Sequence, residues 1–337
     1  MNLDPHIRPR VARGGTLILG GTVFLYDGTP DYPNAGRIWE MVERYRISVI
    51  GIAPTAIRAL MRAGDEWVTR HDRSSLRILG SSGEPWNPGP WRWYQDLVGE
   101  GRCPLINYSG GTEISGGIVS SIPIAPQKPT SFNGAIPGMD ADVVDDDGEP
   151  VRGSVGELVI RQPWPGITRG FWSEQERYLE AYWSRIPDLW VHGDWALVDE
   201  EGYWYILGRS DDTIKVAGKR LGPAEVESAA VAHPAIGEAA AIGIPDELKG
   251  EKVVVFCVPK PGAEVGDSLR AEVADAVVRS LGKALAPDRI LFVGELPKTR
   301  SGKVMRRVIR AVYLETDPGD LSSLDNPSGL DEIRRAR

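Results

Sequence analysis

The spacing of hydrophobic and polar positions near the start of the chain alternates between helical and strand periods. Residues 35–46 carry apolar side chains at helical spacing, which predicts a helix with one buried face. The repeating apolar positions are Ile38, Met41, Val42 and Tyr45. Residues 47–53 form a β-rich apolar run, Pro54 then opens a predicted helix to residue 63, and residues 76–80 predict another strand. Alternation of this kind predicts an α/β protein whose parallel sheet carries functional loops at its strand ends.

The pattern changes from about residue 118 to residue 205, where prolines and glycines recur among short apolar runs. The predicted strands are residues 140–144, 156–161 and 204–207. Asp146-Asp147-Gly148 is a strong hairpin signal. We therefore predict a small β-rich subdomain in this part of the chain.

A third pattern follows a junction at residues 208–212, where strands and helices return as a compact α/β segment. The predicted strands are residues 213–216, 238–244, 253–258 and 289–293, and the predicted helices are residues 223–232 and 267–281. Residues 315–337 are polar and punctuated by proline, which predicts a loosely held tail.

These changes divide the chain into five predicted segments. They are an atypical start (1–14), an α/β part (15–117), a β-rich subdomain (118–210), an α+β domain (211–310) and a tail (311–337). Within the second segment, residues 16–26 break at glycines and then predict a buried strand.

Composition and charge exclude several classes of function. The chain has 337 residues, 42% hydrophobic and 26% charged, with a net charge of −8, so it lacks the excess of positive charge that bulk nucleic-acid binding requires. No run of about 18 apolar residues predicts a membrane span, and no apolar signal-peptide core is present. Cys103 and Cys257 lie in no paired motif, which favours a reducing cytoplasm over a disulfide or zinc scaffold.

The first candidate site is Thr112-Glu113, which follows a predicted strand at residues 103–107 and a glycine-bearing loop. A hydroxyl and backbone amides suit a phosphate, and a neighbouring carboxylate can ligate Mg²⁺ when phosphates complete the metal's shell. The alternative is an exposed turn in which Thr112 caps a helix.

A second candidate is Asp194, which follows His192-Gly193. Its carboxylate suits the two hydroxyls of a ribose, and the alternative is an aspartate that stabilises its own turn. We interpret His192 as a structural residue on a surface turn.

Arg209 and Asp211 lie at the junction between the folded blocks, where an aspartate can serve as a hinge or as a turn or cap residue. Gly218 to Gly222, with Arg220 between them, can approach a phosphate or form a solvated hairpin. Lys303 lies beside Gly302 in a basic loop, where it can reach a phosphoryl oxygen or be one more surface cation.

Together these residues resemble adenylate-forming acyl-CoA synthetases, in particular their acetyl-CoA synthetase branch. The resemblance spans roughly residues 20–310 and is carried by long strings at residues 53–61, 72–80 and 297–307. It implies the C-terminal part of such an enzyme, comprising a parallel α/β subdomain, a small β-rich subdomain and a mobile α+β lid domain. It also implies that a carboxylic acid reacts with ATP and Mg²⁺ to give an acyl-adenylate, from which coenzyme A displaces AMP.

The resemblance assigns roles to individual positions. The implied nucleotide-binding residues are Gly83, Glu84, Pro85, Thr112, Asp194, Arg209 and Arg220. Glu113 would ligate Mg²⁺, Asp211 would be the hinge of the lid, and Gly218 would line the pantetheine passage. Lys303, with Thr112 at the α-phosphate, would be catalytic. In relatives this lysine is a site of regulatory acetylation, which implies a lysine acetyltransferase and deacetylase as partners of Lys303.

The sequence departs from the family in the implied acyl pocket. Gly110 stands where the acetate enzymes carry a tryptophan, and Ser82 replaces a valine. Each methylene buried in the space gained is worth about 0.8 kcal/mol, so we expect an acid larger than acetate. In addition, His192 replaces a family serine or threonine.

The resemblance covers only the second half of such enzymes, and residues 1–14 do not match the segment expected there. We expect a truncated form that does not catalyse the overall reaction alone. Two alternatives stay open: an adenylate-forming ligase with another acceptor, such as a carrier protein, and a non-catalytic nucleotide-binding fragment that works with a separate chain.

Overall fold

The computed structural model of the protein describes residues 15–210, 212–216, 219–299 and 302–337; for Lys219 and Arg220 it describes the backbone only. The chain divides into two compact units, Met1–Ile206 and Leu207–Arg337. No helix among these described residues is both long enough and apolar enough to cross a membrane.

The first unit opens with the predicted strand–helix alternation. In chain order its elements are α1 (Arg37–Tyr45), β1 (Val49–Gly51), α2 (Pro54–Ala63), α3 (Glu66–Thr69), β2 (Ile78–Ser81), α4 (Pro88–Trp93), a π-helical turn (Tyr94–Val98) and β3 (Leu105–Gly111). Strands β1, β2 and β3 are parallel neighbours, which confirms the parallel α/β prediction. The core is aromatic and aliphatic, and Trp39, Trp91 and Leu105 are fully buried in it.

Two antiparallel additions follow β3, and the last strand of the second runs past the boundary at Ile206. β4 (Gly116–Ser120) and β5 (Gly134–Ala135) extend the first sheet beyond β3. A second sheet contains, in spatial order, β6 (Ala141–Val144), β7 (Val155–Ile160), β8 (Trp190–Val198) and β9 (Trp204–Arg209), with α5 (Gln175–Tyr182) before β8. The glycine of the predicted hairpin signal, Gly148, has a φ of 83° in the β6–β7 connection, the left-handed region that glycine tolerates best.

β8 contains a wide irregularity at its centre. Val191 pairs with Val159 and Trp195 pairs with Glu157 on β7, so three residues of β8 stand opposite the single residue Leu158. Gly193, in the middle of the three, has a φ of 83°. Bulges of this kind re-aim side chains and recur beside functional sites.

The second unit is built on one sheet with helices on both faces. Its elements are β10 (Ile214–Val216), β11 (Lys219–Leu221), α6 (Pro223–Val231), β12 (Ile236–Asp246), β13 (Gly250–Pro259), α7 (Asp267–Leu281), β14 (Arg289–Phe292), α8 (Arg306–Tyr313) and α9 (Ser328–Ala336). The strand order is β11-β10-β13-β12, with β14 parallel to β13.

Alternate residues of the central strands feed two separate cores. On β13, Val253 and Val255 pack with α6 and α7, whereas Val254 and Phe256 pack with α8 and α9. Because successive side chains of a strand point to opposite faces, both faces of this sheet are buried.

Two predictions from the apolar pattern are wrong. Residues 22–26 form no strand, and Phe24, Leu25 and Tyr26 are 38%, 60% and 44% exposed; within the described chain this segment pairs with no strand. The tail is not loosely held, since Leu330 and Ile333 of α9 are buried in the core beside α8. Burial of one helix face there outweighs the polar composition.

Candidate functional site

The loops after β2 and β3 emerge at the same edge of the first sheet, because Ser81 at the end of β2 pairs with Asn107 of β3. Ser82, Gly83, Glu84 and Pro85 form the loop after β2. Gly83 has a φ of 114°, so this turn favours glycine. The structure thus places these four residues at the carboxyl edge of the parallel strands, where ligands of α/β sheets bind.

Glu84 anchors this loop to the start of α2. Its carboxylate accepts a hydrogen bond from the Thr55 backbone N–H (2.8 Å) and pairs with Arg58 (2.7 Å). A carboxylate at a helix N-terminus satisfies an otherwise unpaired N–H and interacts favourably with the helix dipole. Sequence reasoning missed this role, because Glu84 and Thr55 are distant in the chain.

The β3–β4 hairpin brings Gly110 against the opposite backbone. A Cβ at Gly110 would lie 2.1 Å from the Gly116 carbonyl oxygen and 2.6 Å from the Gly117 Cα. Backbone therefore occupies the space that the first atom of a side chain would need at this position.

Thr112 and Glu113 begin a short 3₁₀ turn, Thr112–Ile114, directly after β3. The Glu113 carbonyl accepts a hydrogen bond from the Thr168 N–H (2.6 Å). The Glu113 side chain is only 12% exposed. Local hydrogen bonding thus fixes the backbone that carries this carboxylate.

His192 lies between two carboxylates. Its Nε2 is 3.2 Å from Asp194 Oδ2, and its Nδ1 is 3.6 Å from Glu113 Oε1. The side chains of His192 and Asp194 are 4% and 11% exposed. The prediction that His192 occupies a surface turn is wrong: it is a buried residue of β8, in the bulge opposite Leu158.

Aromatic rings hold His192 from the other side. The Trp190 ring centroid is 5.6 Å from that of His192, and Trp190 stacks on Tyr182 of α5 at 4.8 Å. The imidazole therefore has Trp190 and two carboxylates as neighbours.

The donor set suits a divalent cation that brings its own ligands. Among the residues the structure describes, no group of three or more His, Cys, Asp or Glu side chains is arranged as a metal site. Glu113 offers a largely buried carboxylate, and Mg²⁺ commonly takes one or two protein carboxylates while phosphates and waters complete its shell. The chemistry of Glu113 therefore fits Mg²⁺ bound together with a nucleotide.

In the second unit, Lys303 occupies a tight loop. The Thr299 N–H donates to the Lys303 carbonyl (2.9 Å), and the Lys303 N–H donates to Thr299 Oγ1 (3.2 Å). Gly302 has a φ of 80°, and the Lys303 side chain is exposed. The loop thus presents an exposed lysine on a constrained backbone.

Residues of the tail form hydrogen bonds with the segment that leads into this loop. Asn326 accepts a hydrogen bond from the Lys298 N–H (2.7 Å) and donates to Glu295 (2.7 Å) and to the Leu296 carbonyl (2.9 Å). Ser328 donates to the other Glu295 oxygen at 2.5 Å. These hydrogen bonds, that from Ser328 foremost, lower the pKa of Glu295 from its usual value.

The remaining candidates are less informative. Arg209 is the last residue of β9, and its carbonyl accepts a hydrogen bond from the Thr213 hydroxyl (3.5 Å). Asp211, Gly218 and the side chain of Arg220 lie outside the described residues.

Comparison with known proteins finds two family models along the chain. The model of AMP-binding enzymes matches residues 10–172, and that of the AMP-binding enzyme C-terminal domain matches residues 225–303. The two matches lie in order on the chain.

Curated relatives include acetyl-coenzyme A synthetases. That of Pyrobaculum aerophilum is 44% identical over 326 residues, covering 96% of this chain and 49% of the relative. That of Methanothrix thermoacetophila is 45% identical and covers 95% of this chain and 49% of the relative. The chain therefore spans about half the length of the curated relatives it matches.

The solved structures that match this chain include a CoA synthetase and a CoA ligase. An acetoacetyl-CoA synthetase from Streptomyces lividans matches with a TM-score of 0.84 at 28% identity, over 95% of this chain and 49% of that one. An anthranilate CoA ligase in complex with anthranoyl-AMP matches with a TM-score of 0.77 at 29% identity, over 89% of this chain and 57% of that one.

Proposed function

The chain belongs to the family of AMP-binding enzymes, and on that premise we propose that it takes part in the AMP-forming ligation of a carboxylic acid to coenzyme A. The observation that carries the proposal is the approach of Glu113 and Asp194 to the same buried His192, in a chain 44% identical to an acetyl-coenzyme A synthetase. ATP, a divalent cation and coenzyme A are the implied co-reactants.

In this proposal the first unit binds the nucleotide. The loop of Gly83, Glu84 and Pro85 lies against adenine and ribose, and Asp194 accepts hydrogen bonds from the ribose hydroxyls. The anchoring of Glu84 on α2 supports this, because a loop fixed in advance loses less freedom when a ligand binds. Arg209, at the end of β9, is a second ribose contact.

Thr112 and Glu113 serve the phosphates. The Thr112 hydroxyl donates to the α-phosphate, and Glu113 holds the divalent cation. When bound, that cation supplies positive charge next to the phosphoryl oxygens. The largely buried position of Glu113 strengthens such electrostatic contacts, since they are less screened by water.

The second unit supplies Lys303. The substrate carboxylate attacks the α-phosphorus, a new P–O bond forms, and pyrophosphate leaves with the electrons of the broken bond. Lys303 donates hydrogen bonds to oxygens that gain charge in this step. The exposed side chain on a hydrogen-bonded loop supports this role.

Thioester formation needs a different approach to the acyl group. The thiolate of coenzyme A attacks the acyl carbonyl, the C–O bond to AMP breaks, and AMP leaves. We assign Asp211 as the hinge that withdraws Lys303 before this step, Gly218 as the lining of the pantetheine passage and Arg220 as a phosphate contact.

The acid is proposed to be larger than acetate. Ser82 is smaller than the valine of the acetate enzymes, and Gly110 carries no side chain where they have a tryptophan. The proposal rests on these two smaller residues, because at the Cβ position of Gly110 itself backbone occupies the space. A full-length relative with this glycine loop should use butyrate faster than acetate; a higher rate with acetate overturns the proposal.

Regulation and location follow the same premise. The exposed Lys303 is a suitable substrate for a lysine acetyltransferase and deacetylase, and acetylation would remove its charge. Cys103 and Cys257 are buried free thiols, which supports a cytoplasmic location.

Nucleotide binding by the purified chain is the first test. We expect AMP to bind, measured by calorimetry, and Asp194→Asn to weaken binding about tenfold or more, since truncating a partner of a charged hydrogen bond costs about 1.5–3 kcal/mol. Asp147→Asn, in an exposed turn, is the matched control. Equal AMP affinity in Asp194→Asn and wild type would remove the ribose assignment.

Chemistry is tested in a full-length relative that carries the same lysine loop. We expect carboxylate-dependent exchange of pyrophosphate into ATP to fall about 100-fold or more when the lysine matching Lys303 becomes alanine, because charge stabilisation in the transition state is lost. Unchanged exchange overturns the catalytic role. Acyl transfer to a carrier protein in preference to coenzyme A would replace the proposed acceptor.

A further inference from the structure

Each of the two ring nitrogens of His192 lies near a carboxylate oxygen. Its Nε2 lies within hydrogen-bond distance of Asp194 Oδ2 at 3.2 Å, so Nε2–H donates to that carboxylate. In the tautomer that carries its proton on Nε2, Nδ1 is the nitrogen with the lone pair, and it lies 3.6 Å from Glu113 Oε1. That separation is too long for a direct hydrogen bond.

We propose that Nδ1 of His192 is a ligand of the divalent cation held by Glu113, with Asp194 orienting the ring through Nε2. The assignment rests on the proposed function, which puts a cation at Glu113. It adds a nitrogen to an oxygen-only donor set and changes which metals the site favours.

The separation of the two atoms fits a shared ion. Two ligands that each lie about 2.1 Å from one metal are about 3.0 Å apart at a right angle and about 3.4 Å apart at a tetrahedral angle. The observed 3.6 Å between Nδ1 and Oε1 therefore needs a movement of only a few tenths of an ångström.

The surroundings of the ring match a metal-binding histidine. Such histidines commonly donate their other ring N–H to a carboxylate, which fixes the tautomer and raises the basicity of the ligating nitrogen. Asp194 occupies that position, and the stacked Trp190 and Tyr182 rings restrict rotation of the imidazole. A ring that is 4% exposed loses little further freedom when it binds a metal.

The β8 bulge explains why this residue can reach Glu113. Residues 192–194 stand opposite Leu158 alone, and the left-handed Gly193 turns the backbone between His192 and Asp194. A serine or threonine, the family residue at 192 by the sequence resemblance, has a side chain too short to replace both ring nitrogens. The nitrogen ligand is therefore a property of this chain.

A mixed nitrogen and oxygen donor set favours first-row transition ions. Imidazole suits ions such as Ni²⁺ and Zn²⁺, whereas Mg²⁺ and Mn²⁺ prefer oxygen ligands. We expect the site to bind Ni²⁺ in preference to Mg²⁺ by a larger factor than a variant without the imidazole does.

The test is pulsed electron paramagnetic resonance of Mn²⁺ bound to the purified chain with α,β-methylene-ATP, which cannot release pyrophosphate. We expect the hyperfine coupling of a directly coordinated nitrogen. Protein labelled with ¹⁵N-histidine should shift that coupling to the ¹⁵N frequency, which requires no substitution.

Variants then identify the histidine. His192→Ser and the bulkier His192→Asn should lose the nitrogen coupling and raise the Mn²⁺ Kd about 10- to 100-fold, the range seen when the support of a metal site is lost. His71→Ser is the matched control, since His71 pairs with Glu43 at 2.8 Å elsewhere in the same unit. Mg²⁺ binding, read by competition with Mn²⁺, should change less.

The outcomes separate the two proposals. Nucleotide and Mn²⁺ bound together without nitrogen coupling in the unlabelled wild-type chain would overturn the ligand assignment alone. Nitrogen coupling that persists in both His192 variants would do the same. A chain that binds neither AMP nor α,β-methylene-ATP would overturn the proposed function and the ligand assignment with it.

Discussion

Arg306 holds Glu227 through two parallel hydrogen bonds of 2.6 Å, one from Nε and one from a terminal nitrogen. Glu227 also accepts a hydrogen bond from the Ala241 N–H (2.9 Å), so a single carboxylate ties α6, β12 and the start of α8 together. Arg306 follows Lys303 by three residues. The pair therefore fixes one end of the loop that carries the lysine.

Breaking this pair should cost considerable stability. Arg306→Gln leaves a carboxylate that is only 11% exposed without its partner, and uncompensated buried charges cost about 3–5 kcal/mol. Because Arg306 itself is 20% exposed, we expect the free energy of unfolding to fall by about 2–4 kcal/mol, measured by urea denaturation.

Arg334→Gln is the control for that measurement. Its partner Asp331 is at a similar distance, 2.7 Å, but both side chains are about 60% exposed, so the loss should be at most about 1 kcal/mol. Equal losses in the two variants would show that the Arg306 pair contributes no more than a surface pair.

Asn326, in the tail, should contribute as much to the free energy of unfolding as a core residue does. Asn326→Ala removes hydrogen bonds to Lys298, Glu295 and Leu296, and leaving partly buried partners unsatisfied costs about 1–3 kcal/mol. We expect that loss in urea denaturation, with faster hydrogen exchange at the Lys298 amide. Arg335→Ala, on the exposed side of α9, should leave Lys298 exchange unchanged; accelerated exchange in both variants would count against a specific role of Asn326.

Acid should weaken the second unit partly through Glu295. Hydrogen bonds from Ser328 and Asn326 lower the pKa of its carboxyl in the folded chain. Its contribution is therefore present above the unfolded-state pKa, about 4.3, and is lost as the pH falls through the lower folded-state pKa.

Glu295→Gln should flatten the decline of stability as the pH falls below the unfolded-state pKa of about 4.3, because this position then takes up no proton on unfolding. The measurement is the urea midpoint as a function of pH. Glu264→Gln, at an exposed position before α7, should keep the wild-type decline. A Glu295→Gln profile parallel to the wild type would show that this carboxyl does not contribute.

Gly110 and Gly116 lie on the two strands of one hairpin but differ in the room for a side chain. Gly110→Ala would bring its Cβ to 2.1 Å from a carbonyl oxygen, whereas nothing lies within 4 Å of a Cβ at Gly116. We expect Gly110→Ala to cost about 1–3 kcal/mol and Gly116→Ala to change stability by less than about 1 kcal/mol, both by thermal unfolding. Similar effects of the two substitutions would contradict the close approach.

Local periodicity predicted the regular part of the fold well. Helices α1 and α2 and strands β1, β2 and β3 form near the predicted positions, because their apolar spacing and the proline at residue 54 act within a few residues. The exposed segment at residues 22–26 has the same strand-like composition. It forms no strand, since a strand requires a partner that no short window of sequence specifies.

The candidate site, too, could be predicted from the sequence only in part. The hydroxyl, carboxylates and lysine could be selected from motifs, because side-chain type limits their chemistry. The position of His192 between Glu113 and Asp194 could not, since it depends on contacts across 79 residues and on a two-residue register shift in β8. The packing of α9 could not be predicted either, because it depends on the far face of β13.

That far face connects the last helix to the loop that carries Lys303. Leu330 and Ile333 pack beside Phe256 on the central strand, and Asn326 holds the segment that leads into the lysine loop. A fusion, tag or proteolytic cut that displaces α9 would therefore also disturb the loop that carries Lys303. Expression designs that alter the C-terminus should therefore keep α9 and its contacts intact.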